Sequence, residues 1–370
     1  MPKKILIINI FGIGDVLFTT PMIRSIKNAD RDAEIGYVCN QRAYPVLKNN
    51  PAIKKFHIYE KDEFRRIFKE SVTDGVAAAW RFVRDIKEQD YDVVFDISLN
   101  RYMDAATALA GIPQRIGYNF RKRSPFLNEA VDLVGYEQRH VVEYYLALLK
   151  WAGIPVTARN LEVHVPEGDQ KWARQVMEKK HIGLKDLVVG LIPGGGASWG
   201  KDSRFKRWEP ESYATIADKM IEQFSARVIL MGNQPERLTS QRLLAAMQHH
   251  LLDMTGQTTL EQYLALLQCC HLVVTNDGGP LHMAVAAGAR TVSIFGPVNE
   301  NVYGPYPPDG HRVVKRDLAC RPCYHQFRRA RCETLQCLKD LTVEQVFEQV
   351  NRQLTDIQKQ EGFSDERAVR

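Results

Sequence analysis

Short runs of β-branched and aliphatic residues alternate with longer stretches of helical period along the whole chain. "KILIINI" (4–10), "EIGYVC" (34–39), "KKFHIY" (54–59) and "YDVVFDI" (91–97) read as buried strands, with the helix-like "PMIRSIKNA" and "VAAAWRFVRDIKEQ" between them. Such alternation predicts βαβ units and parallel sheets. "RHVVEYYLALLKWAGI" predicts an amphipathic helix stopped by Gly153, and "PVTARNLEVHVPEGD", bounded by Pro155 and Pro166, predicts a connector. A second set follows: "DLVVGLIPGGG", "RVILMG", "HLVVTNDGGP" and "RTVSIFGP" each run a strand into a glycine-bearing loop. "DLTVEQVFEQVNRQLTDIQKQ" predicts a closing helix. The expected architecture is α/β, two doubly wound Rossmann-like domains facing across a cleft. Their expected ranges are 1–165 and 166–345, with 346–370 as closing helix and frayed tail.

Composition narrows the class. The 370 residues exceed what one hydrophobic core usually serves, which agrees with two domains. At 45% hydrophobic and 25% charged the chain is an ordinary globular one, and no apolar run is long enough to span a bilayer. The two lysines before the first apolar run imitate a signal peptide. That run stops at Asp15 with no small-residue cleavage site, so a first buried strand and a cytoplasmic location are expected. The net charge of +6 is modest, but it gathers in "RIGYNFRKRSP" (Arg115, Arg121, Lys122, Arg123) and between Arg312 and Arg331, where Asp317 is the one acid. Basic clusters of this kind suit phosphates, acidic lipid head groups or nucleic acid.

Four loops carry candidate chemistry. In "NIFGIGDVLFTTP" the spacing Gly12-x-Gly14 begins like a dinucleotide fingerprint, yet Leu17 stands where the third glycine belongs. Asp15 is left at the carboxyl end of the first strand, where open α/β sheets bind ligands. In "TNDGGPLH" the amides of Gly278 and Gly279 head a helix opened by Pro280, with Asp277 before it and His282 in its first turn. That is an anion site, or else Asp277 simply caps the helix. "PGGGASWGKDSRFKRWEPE" sets Lys201, Arg204, Lys206 and Arg207 after three glycines, which suits a diphosphate. "MGNQPERL" offers Glu236 to ribose hydroxyls. Three such loops on one sheet edge point to a nucleotide. Against an NAD-dependent oxidoreductase stand the missing third glycine and the want of a ribose-binding acid at the end of the second strand. A nucleic-acid-binding protein would not explain the acid-bearing glycine loop. A catalytically silent nucleotide-sugar-binding protein is the third alternative.

The stretches "GIGDVLFTTPMIRSIK", "RIGYNFRKRSPFLNEAV", "HVVEYYLALLKWAGI", "PGGGASWGKDSRFKRWEPE" and "TNDGGPLHMAVAAGARTVSIFGP" together resemble glycosyltransferase family 9, the bacterial heptosyltransferases of the lipopolysaccharide inner core. The resemblance implies a GT-B fold with an amino-terminal acceptor domain and a carboxy-terminal nucleotide-sugar domain. It further implies inverting transfer of heptose from ADP-heptose without a catalytic metal or other cofactor. Asp15 matches the family's general base, Lys206 the lysine that neutralises the donor diphosphate, and Asp277, Gly279 and His282 the Asp-x-Gly-x-x-His element around the donor. Glu236 is a softer match to a ribose-binding acid. Gly278 departs from the pattern, since many members carry Ser or Thr there. Gly14, Arg115, Arg121, Lys122 and Arg123 are expected at the anionic acceptor, a Kdo-lipid A or its heptosylated form. Contact with the inner membrane would be peripheral and electrostatic; nucleic acid is not an expected partner.

Cys320, Cys323, Cys332 and Cys337 have a compact spacing that resembles a thiolate metal site, zinc first and iron second, with His325 as a substitute ligand. Such a site would be structural; four free thiols are the alternative. Cys39, Cys269 and Cys270 lie in apolar contexts and read as core.

Overall fold

The computed structural model describes residues 3–196 and 199–361, apart from the side chains of Lys201 and Glu361. The tail expected to fray beyond Glu361 lies outside the described residues. The chain divides into two compact units, Met1–His164 and Val165–Arg370. In the first, strands β1 (Lys4–Ile8), β2 (Glu34–Cys39), β3 (Ile53–Ile58), β4 (Val93–Asp96), β5 (Gln114–Phe120) and β6 (Glu129–Leu133) form one sheet in the order 3-2-1-4-5-6. In the second, β7 (Val188–Ile192), β8 (Arg227–Leu230), β9 (Leu252–Asp253), β10 (Leu272–Asn276), β11 (Arg290–Phe295) and β12 (His311–Lys315) take the order 12-11-10-7-8-9. Counted from β7 this is the same topology, and every pairing in both sheets is parallel. The chain order reverses between β1 and β4, and again between β7 and β10. Outside the carboxyl ends of strands at such a reversal lies the crevice where doubly wound sheets take their ligands.

The central strands are legible because both of their faces are covered. Ile5–Ile8, Val188–Ile192 and Leu272–Asn276 are buried at every position, the near-continuous pattern of parallel strands under helices. The closing helix Val343–Glu361 is an integral part of the second core. Val346, Val350, Leu354 and Ile357 are fully buried at helical spacing and join β7, β8, β10, β11 and β12 in one cluster. Helix Val141–Leu148 tightens into a 3-10 turn and ends at Gly153, whose φ of +66° favours glycine. The connector after it is pinned: Ser25 Oγ accepts from the amides of Thr157 and Ala158, and Arg24 pairs with Glu162 at 2.6 Å.

Four strands of the two parallel sheets escape the hydrophobic pattern, the two-residue β9 and three longer ones. "QRIGYNF", read as part of a basic loop, is β5; "EAVDL" is β6; and the start of the second basic cluster, "HRVVK", is β12. The last two are edge strands, only partly buried, and edges carry charge that blunts further pairing.

Candidate functional site

Asp15 sits in a five-residue helix, Ile13–Leu17, directly after β1. Its Oδ2 accepts from the Gly12 amide at 3.2 Å, so the carboxylate holds the glycine turn closed. Two asparagines fix the rest of the turn. Asn9 accepts from Phe11 N and donates to Asp15 O, while Asn40, at the end of β2, donates to the carbonyls of Ile10 and Phe11. A methyl group built on Gly12 would stand 3.5 Å from Asp15 Oδ2 and 3.9 Å from Arg42 Nη2, so an acid and a base flank this glycine. Beneath them lie buried tyrosines. Burial raises the phenol pKa of Tyr37, Tyr136 and Tyr145, and the Asp15 charge raises each further. On the neighbouring strand Asp96 is buried beside Asp104, and burial together with that second carboxyl pushes its pKa well above the usual range. Burial and the shared site thus favour the protonated form of the pair. Asn9, Asn40, Arg42 and Asp96 are not prominent in the sequence; their signal is position, one polar residue at or just past a strand's carboxyl end.

The two halves of the first basic cluster separate. β5 begins at Gln114 and ends at Phe120, so Arg115 and Arg121 stand at opposite ends of it, roughly 20 Å apart at the rise of a strand. Arg115 donates to the carbonyls of Phe126 and Ile112, each at 2.6 Å, and organises the returning loop. The structure therefore does not bring Arg115 together with the Arg121 turn. Arg121, Lys122 and Arg123 form a tight turn at the same sheet edge as Asp15. Arg121 and Lys122 have φ of +54° and +58°, and Lys122 and Arg123 are exposed.

In the second unit, three loops converge beyond β7, β8 and β10. Lys206 Nζ stands 2.7 Å from Asp277 Oδ2 with both side chains nearly buried, a close ion pair without the alignment of a hydrogen bond. The cap of helix Gly279–Ala286 is Gly278, so Asp277 does not cap the helix, and His282 is buried in its first turn. The "PGGG" loop packs directly on this element. Gly278 has φ of +155°, and a Cβ there would lie 2.1 Å from the carbonyl oxygen of Gly195, a backbone atom with nowhere to go. That explains why a hydroxyl-bearing residue is missing. Gly278→Ser is expected to cost about 1–3 kcal/mol, read as a melting temperature lowered by several degrees.

Glu236 is 5% exposed, with Oε1 accepting from Gly196 N and Oε2 from Asn233 N, both at 2.9 Å. Arg207 donates to the carbonyls of Gly194 and Gly196. Both residues clamp the glycine loop from behind, which the sequence alone does not disclose. Asn276 is a further residue of this kind: it accepts from Trp208 N and donates to Pro193 O, tying the ends of β7 and β10 to the Lys206 segment. Arg204 stacks over Phe205, and the side chain of Lys201 lies outside the described residues.

The four cysteines lie near one another without converging on one point. Burial raises the Cys337 thiol to about 11, with smaller contributions from Cys323, Cys332 and Cys320, so the four are neighbours. They sit at graded depth, however, from exposed Cys320 to buried Cys337, and the Cys332 sulfur accepts from Leu335 N at 3.4 Å. Among the described residues no three His, Cys, Asp or Glu side chains come close enough together to hold a metal ion. The His325 ring nitrogen bonds to Pro322 O at 2.7 Å.

A family model described as glycosyltransferase family 9 (heptosyltransferase) matches residues 79–333. The chain belongs to glycosyltransferase family 9. It is a transferase, and relatives extend the likeness beyond the matched segment. Lipopolysaccharide heptosyltransferase 2 of Escherichia coli K12 is 25% identical over 364 residues, which are 94% of this chain and 97% of that protein. The family 9 glycosyl transferase of Veillonella parvula superposes with a TM-score of 0.80 at 20% identity, over 96% of this chain and 98% of its own. The ADP-heptose lipopolysaccharide heptosyltransferase II of E. coli superposes with 0.72 at 23%, over 95% and 99%. These superpositions place the two Rossmann-like units in the GT-B fold class of the family 9 enzymes.

Proposed function

We propose that this family 9 transferase moves a heptose from ADP-heptose to the inner core of lipopolysaccharide, on a Kdo-lipid A or heptosyl-Kdo-lipid A acceptor. The observation that carries the reading is the buried Lys206–Asp277 pair, set between two interlocked glycine loops at the reversal point of the second sheet. Lys206 supplies the positive charge that a leaving diphosphate requires, and the amides of Gly278 and Gly279 head a helix whose dipole favours the same anion. His282 serves the donor from the first turn of that helix. Glu236 either reaches the ribose with a remaining lone pair or acts only by shaping the loop. The names of the relatives supply heptose and lipopolysaccharide as the substrate classes.

In the proposed inverting step, the acceptor oxygen attacks the anomeric carbon opposite the diphosphate. Its proton passes to Asp15, the carbon–oxygen bond to the diphosphate breaks, and that electron pair leaves with ADP. No metal is assigned to the transfer. Asp15 precedes the segment matched by the family model, so its role rests on the strand-end turn and its charged surroundings. Gly14, in the same short helix, lets the acceptor approach the turn. The cations of the Arg121–Arg123 turn meet the acceptor's carboxylates and phosphates. Replacing all three by glutamine is expected to raise the acceptor KM by tenfold or more, at about 1 kcal/mol per charge, with ADP affinity unchanged. Among the described residues no helix is long and apolar enough to cross a membrane, and association with the cytoplasmic face of the inner membrane would be through this turn.

The experiment that tests the reading is a melting-temperature panel with ADP, UDP, GDP and NAD at matched concentration, followed by transfer from ADP-heptose. Stabilisation by ADP alone is expected, since a ligand of the native state raises the midpoint by mass action. Stabilisation by UDP or GDP alone would replace the donor, and by NAD alone would reinstate the oxidoreductase.

A further inference from the structure

We propose that the cysteine-flanked hairpin formed by β13 (Tyr324–His325) and β14 (Arg328–Arg329) is a brace for the donor loop. Tyr324 and Arg329 are its positioning residues, acting on Lys206 through the rings of Trp199 and Phe205. The proposal rests on Lys206 serving the donor diphosphate, as read above.

The segment that carries Lys206 needs outside support. It follows Gly195 and Gly196, both at positive φ, and runs from Gly200 to Lys206 as a 3-10 helix, whose hydrogen bonds are poorly aligned. Its cap residue, Trp199, makes no side-chain capping bond. The hairpin meets this segment at both ends. The Tyr324 ring lies 4.9 Å from the Trp199 ring, and the Trp199 face carries Lys206 Nζ at 4.8 Å. At the other end the Arg329 guanidinium sits 3.7 Å over Phe205, the residue before Lys206, and reaches Asp202 at 3.5 Å. The lysine is thus held between a ring on one side and Asp277 on the other.

The brace itself is stiff and anchored. Its turn residues Gln326 and Phe327 have φ of +49° and +65°, the conformation of a tight two-residue hairpin. Its root bonds to the loop after β11: the amides of Cys323 and Tyr324 both donate to Pro297 O, and Ala330 N donates to Cys323 O. Arg321, just before, donates to Val298 O at 3.0 Å and pairs with Glu300 at 2.8 Å. A loop held in place loses less freedom when a ligand binds, so the brace contributes affinity without touching the nucleotide.

The test is ADP titration by calorimetry, with donor and acceptor KM, on the full chain and its variants Lys206→Met, Tyr324→Leu, Tyr324→Phe, Arg329→Met and the double variant Lys206→Met/Tyr324→Leu. Tyr324→Leu and Arg329→Met are each expected to weaken ADP by about 3- to 30-fold. Donor KM should rise in step and acceptor KM stay unchanged. Tyr324→Phe, which keeps the ring, restores binding, and Tyr324→Leu adds no further loss once Lys206 is methionine. If Tyr324→Leu and Arg329→Met bind ADP like the parent, or if the losses at 324 and 206 simply add, the brace is overturned while the role of Lys206 stands. If Lys206→Met itself binds ADP normally, the donor assignment falls, and the route of the brace with it.

Discussion

Asp15→Asn is expected to lower kcat by roughly 10²–10⁴-fold while ADP binds as before. The substitution separates the structural job of this carboxylate from the proton transfer proposed for it. The first is seen in Oδ2, which accepts from the Gly12 amide and closes the turn. Asparagine keeps an oxygen for that bond, and the loop remains fixed by Asn9 and Asn40. The other is chemical: a neutral amide does not take the proton of an attacking hydroxyl. Asp15→Ala removes both, so it adds about 1 kcal/mol of lost capping to the same loss of turnover. Steady-state kinetics with ADP calorimetry on both variants decides the matter. An asparagine variant turning over within twofold of the parent would reduce Asp15 to a capping residue.

Lys206→Met is expected to damage stability and donor binding together, and a second substitution should pull them apart. Removing one member of a buried ion pair leaves the other charged and unpartnered, at a cost of about 3–5 kcal/mol. Asp277 is 3% exposed and would be that stranded charge. The charge-assisted contact to the diphosphate proposed for Lys206 is worth about 1.5–3 kcal/mol, so on that proposal the ADP Kd should rise roughly 10- to 100-fold. In Lys206→Met/Asp277→Asn the melting temperature should recover, because no uncompensated charge is left inside, whereas ADP affinity should not. Recovery of both would mean that Lys206 acts only by holding the fold, and that the diphosphate is bound elsewhere.

What the sequence disclosed and what it hid follow from distance along the chain. Strands covered on both faces announce themselves, as "KILII" and "LVVTN" do, and a strand end followed by glycine marks a ligand edge. β12 hides because it is a short, partly buried edge strand, "HRVVK", with two apolar residues between polar ones at the start of the basic cluster. Partnerships hide altogether. The second basic cluster holds one acid in sequence, yet Arg312 pairs with Asp356, Lys315 and Arg321 with Glu300, and Arg329 with Asp202. An apparent patch for anions is therefore largely neutralised by acids from elsewhere in the fold. Glu236 and Arg207 hold partnerships of the same hidden kind: their residue types suggest ligand contacts, and in the fold both also bond to the backbone of the donor-side loops. The cysteine spacing suggests four equivalent ligands, but graded burial makes the four sulfurs unequal.

The inward charges of the donor loops cancel. Asp277 and Glu236 contribute two negative charges, Lys206 and Arg207 two positive ones, with Lys206 2.7 Å from Asp277 and Arg207 3.9 Å from Glu236. Before a nucleotide arrives these four groups therefore cast little field into solvent. Capture of the donor by the proposed site is governed by fit at contact range. The outward turn at Arg121–Arg123 works differently, projecting positive potential over about 8 Å at physiological ionic strength. In the proposed reaction the two substrates thus approach under different rules: added salt slows the arrival of the acceptor and leaves that of the nucleotide nearly untouched.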